Sequence, residues 1–372
     1  MILDLLYNTL VQGSLLAIIC IGYIFAYGFA KVINFAHPDI MIFGGGYLVL
    51  FLISGFPTIF SKIIFLCIVS ASFIISIFFY FNSTLLKKIL ASIVLVALVY
   101  IAFSFSGQYS FWLSFVIAIP ITSVLALVVY IIGYYPLLKR NAPRNSILLS
   151  ALGFSIAIES IMLILFGSTI RTLPTDRIPS YLYFSKINTD GYFTVFNSLN
   201  IPVYDLIIIS IFVIILSFLY LFLKKSNIGR LIIACSENHL AARACGIPVY
   251  KTLGIAFVIG GFIASIAGTL LILRTKSIFP TAGFSIGLVA FMACVMGGIG
   301  NIKGSVISAF IISFIISFAP AISFEPLLSK VIPLQAISYL PSLRLSDWSY
   351  GIVYLIVIIV IIFKPKGILS KQ

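Results

Sequence analysis

Apolar residues run in long blocks from one end of this chain to the other, and the gaps between the blocks are short. A helix needs about 20 largely apolar residues to cross a hydrocarbon core of about 30 Å. Blocks suited to that task occupy residues 8–30, 37–54, 62–81, 88–104, 112–134, 145–166, 203–223, 251–273, 284–297, 303–320 and 349–364. They predict an all-α fold, a polytopic transmembrane helical bundle of 10 to 11 spans. Little room is left for a soluble domain, so residues 1–372 read as one transmembrane domain. The blocks 284–297 and 303–320 are short and flank a Gly-rich break, so they are either one broken helix or a pair of half-helices.

Composition agrees with the pattern: 62% of the residues are hydrophobic and 9% charged, against about 45–50% and 25% in a soluble domain. A net charge of +14 in a soluble chain would suggest nucleic acid. Here the Lys and Arg lie in the gaps between apolar blocks, which is the pattern of positive-inside topology, so no nucleic acid is expected. With the N-terminus outside, the inward gaps hold fifteen basic residues, among them Lys31, Lys139, Arg140, Arg230, Arg243, Lys364, Lys366 and Lys371, and the C-terminus is cytoplasmic. The outward gaps hold the other eight, with six of the nine acids. Asp4 and the lack of a basic residue ahead of the first block argue against a cleavable signal peptide.

Trp112, Tyr134, Tyr135, Trp348 and Tyr350 fall at block ends, where amphipathic rings prefer the headgroup layer. Cys20, Cys67 and Cys294 lie in apolar blocks, and Cys235 and Cys245 share a polar loop at a spacing unlike any metal motif. Neither disulfides nor a metal site is expected. Small residues four apart, such as Gly13 and Ala17, Gly22 and Ala26, or Gly260, Ala264 and Gly268, allow close helix approach in lipid.

Several residues are candidates for a transport path. Glu159 lies within 145–166, one turn from Ser155, and a carboxyl at that depth should face the bundle interior or a wet cavity, as a functional group or as a hydrogen-bonded structural one. Gly44, Gly45 and Gly46 lie within the second block, and Gly297, Gly298 and Gly300 close the block 284–297. Glycine weakens a helix, and interruptions at matching places in two halves mark the solute site of many transporters, although plain helix packing explains glycines equally. With the assigned topology the first two spans and the pair 251–273 and 284–297 run in opposite senses, as in an inverted repeat. Asn34, His37 and Asp39 belong to a polar turn on the inner face, suited to gating or to a plain helix connection. The spans show no paired intramembrane carboxylates, and no enzyme activity or catalytic residue is expected.

The longest inward loop, 224–250, has helix-compatible composition and a stop at Gly246 and Pro248. Its mixture of Ala234, Ala241 and Ala242 with Arg230, Glu237 and Arg243 suits docking onto a soluble partner, or a helix lying on lipid headgroups.

The spacing G-R-x-x-x-A-x-x-E-x-x-x-A-A-x-x-x-G-I in this loop, carried by Gly229, Arg230, Ala234, Glu237, Ala241, Ala242, Gly246 and Ile247, resembles the coupling segment of permeases in the branched-chain amino acid ABC importer family. Gly13 to Ala17, Ile21 to Tyr23, Tyr27-Gly28 and Asn34 to His37 resemble that family's N-terminal signature. Ala290-Phe291, Gly297 to Gly300, Gly304 and Pro365 to Leu369 resemble its C-terminal ones, and the matches fall in the same order over most of the chain. The family's usual Gly-Glu after the His is Pro38-Asp39 here, and residues from about 58 to 110 have no counterpart and add two spans.

The resemblance implies a single permease domain in the cell inner membrane, paired with a second homologous permease. Two cytoplasmic ABC ATPase subunits would drive it, and an extracytoplasmic substrate-binding protein would feed it. ATP would be bound by those partners, with no cofactor on this chain; consistently, no G-x-x-x-x-G-K-[ST] loop is present. A path lined by Gly and aliphatic residues suits small neutral or zwitterionic solutes, branched-chain amino acids first, with urea and short amides among the family's variants. The competing expectation is a stand-alone proton-coupled carrier or channel using Glu159.

Overall fold

The computed structural model describes residues 2–30, 34–80, 85–174, 192–195, 199–298, 300–319, 345–364 and 367–369. Lys31, Ile299, Pro365, Lys366 and Lys371, and the side chain of Trp348, lie outside the described residues. Eight described helices are long and apolar enough to cross a membrane. These are α1 (Ile2–Ala30), α2 (His37–Ser54), α3 (Ile59–Tyr80), α4 (Leu85–Ser104), α5 (Phe111–Lys139), α6 (Arg144–Phe166), α7 (Val203–Lys225) and, after two short helices α8 (Asn227–Glu237) and α9 (His239–Ala244), α10 (Val249–Thr275). Three shorter apolar helices follow, α11 (Ala282–Gly297), α12 (Ile302–Phe318) and α13 (Leu345–Phe363). Every block expected from the sequence is therefore a helix to within a few residues, and the protein is an all-α multi-pass membrane bundle. Blocks 284–297 and 303–320 are two separate helices rather than one broken rod.

Sheet is marginal. Strand β1 (Arg171–Thr172), after α6, pairs antiparallel with β4 (Ser277–Ile278), after α10, and β2 (Tyr192–Val195) pairs antiparallel with β3 (Leu199–Pro202).

The core is built on α1, α2 and α10. In lipid, apolar burial alone does not hold helices together, so contact depends on small residues that let backbones meet. At Gly45 a side chain would strike the carbonyl of Ser265 and lie 2.9 Å from the Gly268 Cα, so α2 and α10 touch backbone to backbone. Thr269 of α10 adds an interhelical hydrogen bond, donating to the Gly45 carbonyl at 3.1 Å. Gly261, on another face of α10, admits Ser123 and Ala126 of α5, and Gly13 of α1 admits the Phe310 ring of α12. Helix α1 thus packs along α12 and crosses α11, while α10 packs along α5 and crosses α2.

Helices α3 and α4 lie at the edge of this core, where Phe65 of α3 stacks on Phe43 of α2 and the Tyr80 hydroxyl donates to the Lys251 carbonyl of α10 at 2.8 Å. They form a hairpin that packs on α5 and α6 through α3, and most of α4 is exposed. The hairpin leaves at Gly55 and returns at Gly107, where the Gly107 amide donates to the Leu52 carbonyl at 2.9 Å. Both glycines have positive φ, 84° and 90°, and a side chain on Gly107 would fall 3.3 Å from the Gly55 Cα. The two ends of the hairpin therefore meet.

Two polar positions are enclosed by protein. Tyr134 is fully buried, its side chain turned into the bundle, where its hydroxyl meets Asn34. The polar turn at Asn34 is covered by the bundle: Asn34 is 1%, His37 2% and Asp39 0% exposed.

Candidate functional site

The buried turn is held from all sides. The Tyr134 hydroxyl donates to Asn34 Oδ1 at 2.9 Å. The His37 imidazole fills the space that a side chain on Gly22 would occupy, with Ile263 from the middle of α10 beside it and the Tyr23 ring centroid 5.1 Å away. Pro38 and Asp39 lie against the bare faces of Gly287 and Gly283 on α11, where added side chains would come 2.8 Å from Pro38 Cβ and 3.1 Å from the Asp39 Cα. Glycine at these two places is what lets α2 begin so deep in the protein.

Asp39 brings two helices together. Its Oδ2 accepts a hydrogen bond from Ser155 of α6, and its Oδ1 is buried with no partner among the described residues. Glu159, one turn beyond Ser155 on α6, is half-buried. Asp39 on α2 and Glu159 on α6 are thus linked through Ser155, which the sequence hides because the two lie on different helices. Asn34, His37 and Asp39 form one buried polar layer between α1, α2, α5, α6 and α11, with the half-buried Glu159 one turn from Ser155 at its edge.

The two glycine clusters differ from one another. Gly44, Gly45 and Gly46 do not unwind α2. They sit in a π-helical stretch, Met41–Leu48, and face Thr122, the Ser265 and Gly268 backbone, and Ile278. A π-helical turn inside an α-helix is rare and is found most often at functional sites. Gly297, Gly298 and Gly300 make a true chain break, with φ of 98° at Gly298 and 92° at Gly300. There Gly297 packs on the backbone of Gly304 and Ser305, and Gly367 on Gly298. The Ile368 amide donates to the Met296 carbonyl and Asn301 Nδ2 to the Leu369 carbonyl, each at 2.9 Å, so residues 367–369 clamp the break.

The polar segment after α7 folds as two short capped helices. Ser226 accepts from the Gly229 amide at 2.9 Å to start α8, and Asn238 Oδ1 accepts from the Leu240 and Ala241 amides at 2.9 and 3.2 Å to start α9. Such caps satisfy amide groups that a helix start leaves free. Gly229 is buried because a side chain there would strike the backbone at Phe222 and Leu223, and this lets α8 fold back on α7. Ile232, Cys235 and Ala242 face inward, with Ile247 half-buried, and burial pushes the Cys235 thiol pKa up.

Arg230, Glu237, Ala241, Arg243 and Gly246 face outward. Arg230 donates to Asn227, and Arg243 to the Tyr250 hydroxyl at 2.8 Å. Leu240 is 77% exposed at the corner between α8 and α9, an apolar residue that the motif's spacing does not single out. The outward face is therefore two guanidinium groups and a carboxylate around a projecting leucine. Among the described residues no group of three His, Cys, Asp or Glu is arranged to hold a metal ion.

A family model described as branched-chain amino acid transport system / permease component matches residues 5–361. The chain is 26% identical to the high-affinity branched-chain amino acid transport system permease protein BraD of Pseudomonas aeruginosa, over 99% of this chain and 96% of that one. It is 27% identical to the permease protein LivH of Escherichia coli K12 over the same shares, and 29% identical to LivH of Salmonella typhimurium over 83% of each chain. No solved structure matches.

Proposed function

The chain belongs to the branched-chain amino acid transport system permease family, and from that premise we propose that it carries small neutral or zwitterionic solutes, branched-chain amino acids first, across the cell inner membrane as one subunit of an ATP-driven importer. Solute passes by alternating access, and the energy comes from two separate ABC ATPase subunits. A second permease completes the path, and an extracytoplasmic binding protein delivers the solute. The observation that carries this reading is the family match along nearly the whole chain. It favours this reading over the proton-coupled carrier built on Glu159.

The capped pair α8 and α9 fits the ATPase contact. Its inner face is fixed to the bundle by Gly229, Ile232, Cys235 and Ala242, so a push on Leu240, Arg230, Glu237 or Arg243 reaches the spans as a rigid-body force. An N-terminus outside and a C-terminus inside put this pair on the cytoplasmic side, where the basic residues concentrate. The buried layer of Asn34, His37 and Asp39, with the half-buried Glu159 beside it, is the polar element on the transport path. Gly44, Gly45, Gly46, Gly297, Gly298 and Gly300 are the places where helices slide or bend against it.

The inverted repeat is supported by reciprocal packing. Helices α1, α2 and α5 form one triplet and α10, α11 and α12 the other; the first helix of each lies along the third of the other and crosses its second. In the second triplet α11 passes to α12 through the Gly298 break, while in the first α2 reaches α5 only after the α3–α4 hairpin. Residues from about 58 to 110 are therefore an insertion into one repeat. The test is uptake by vesicles holding the chain with its partner subunits: leucine should enter only when ATP is supplied to the ATPase side.

A further inference from the structure

A cavity of about 630 Å³ lies among α1, α10, α11, α12 and α13, lined on α11 by Ser285, Ile286 and Val289 rather than by Gly283 and Gly287, within the range of about 300–1,000 Å³ usual for small-molecule sites. Its wall changes character along its length. Tyr7 at the start of α1 donates to Asp205 Oδ2 at 2.9 Å, and Arg274 at the end of α10 approaches Asp205 Oδ1 through Nε at 3.9 Å. The start of α1 and the end of α10 therefore lie at one level. Gln12, Arg274 and Thr275 make that end of the cavity polar, while Leu15, Leu16 and Ile19 continue the α1 wall deeper.

Asp205 is 5% exposed, and apart from Arg274 its Oδ1 has no partner among the described residues. Its charge lies 3.9 Å from the Nε edge of the guanidinium, and neither terminal nitrogen of Arg274 donates a hydrogen bond among the described residues. A guanidinium presents its remaining N–H groups as a planar fork that matches both oxygens of a carboxylate. A cation at the C-terminal end of α10 also suits the helix dipole, but that role asks for charge and not for a fork.

We propose that Arg274 and the cavity it lines form a solute-holding site, with the carboxylate of a small aliphatic amino acid on Arg274 and its side chain among Leu15, Ile19 and Val289. The site rests on the permease reading and gives it a substrate class, since neither urea nor a simple amide offers a carboxylate to the fork.

The test needs no ATP. In the assembled transporter in vesicles, with Cys67→Ser and Cys245→Ser removing the exposed thiols, Ser285→Cys places a reporter on the cavity wall. Its labelling rate by a membrane-impermeant methanethiosulfonate is measured with L-leucine, 4-methylpentanoate or L-leucinamide present. Leucine and 4-methylpentanoate should slow labelling, and leucinamide, which lacks the carboxylate, should not. Arg274→Gln should raise the leucine concentration for half-protection by about tenfold or more, since hydrogen bonds to charged groups contribute at least that much. Arg274→Lys, which keeps the charge but not the fork, should also weaken it.

Val289→Trp, which fills the apolar end, should abolish protection by leucine even if Arg274→Gln disturbs the fold. Equal protection by leucinamide, or protection unchanged in Arg274→Gln or in Val289→Trp, overturns the site. Uptake that persists while protection fails removes only this site. Protection that persists without ATP-driven uptake removes the importer reading and leaves the site.

Discussion

Ser155 donates its hydroxyl hydrogen to the Asp39 carboxylate and so joins the middle of α6 to the start of α2, 116 residues earlier in the chain. Asp39 is fully buried, so that hydroxyl is a large part of what replaces water around it. Ser155→Ala removes the donor from a buried acceptor, a change that costs about 1–3 kcal/mol. The variant should melt at a lower temperature in detergent, followed by reaction of a thiol dye with the buried Cys20 and Cys294. Adding Asp39→Asn should recover part of the loss, because a neutral amide needs less solvation. Additive losses in the double variant would show that the two residues act independently.

Gly45 and Gly153 make a matched pair of opposite sign. A side chain at Gly45 would strike the α10 backbone, whereas at Gly153, inside α6, nothing lies within 4 Å. Gly45→Ala should destabilise by about 1–3 kcal/mol through forced separation of α2 and α10. Gly153→Ala should stabilise by about 0.5–1 kcal/mol, since Ala gains helix propensity without a clash. Thermal melts of the two variants beside the parent check both signs.

Neutralising Arg230, Glu237 and Arg243 together should abolish uptake and co-purification of ATPase subunits while leaving the amount of membrane-inserted protein unchanged. Leu240→Asp alone should do nearly the same, because a 77% exposed leucine at the corner between α8 and α9 makes no core contact to lose. Undiminished uptake by either variant would remove the coupling role from this face.

The α3–α4 hairpin should be dispensable for the path. Its ends meet at Gly55 and Gly107, so excising residues 58–105 leaves a gap that a short linker closes at low entropic cost. The shortened chain should insert and transport, with lower stability from the lost ring contacts of Phe65 and Phe103 with Phe56, and of Phe65 with Phe43 and Phe166. A chain that inserts but does not transport would show that the hairpin belongs to the mechanism.

Which parts of this fold the sequence reveals follows from the physics of each signal. Span positions are legible because the hydrocarbon core sets a length that an apolar block must meet, and every expected block is a helix here. The α8–α9 pair is legible because polar composition inside a membrane chain is rare and its start and stop residues are local. The depth of Asn34, His37 and Asp39 is not legible: it depends on Gly283 and Gly287, far along the chain, leaving their faces bare. The partner of Tyr134 is hidden for the same reason, since its place at a block end says nothing of Asn34 waiting across the bundle. Nor does any local pattern bring Ser155 to Asp39, or Arg274 and Tyr7 to Asp205, because those meetings are made by helix packing between distant segments.

Leucine uptake into vesicles tests the importer reading most directly, with the purified chain compared alone and with its ATPase and permease partners. ATP-dependent uptake should occur only in the assembled system, and a proton gradient alone should drive none. Uptake by the isolated chain under a proton gradient without ATP would contradict it.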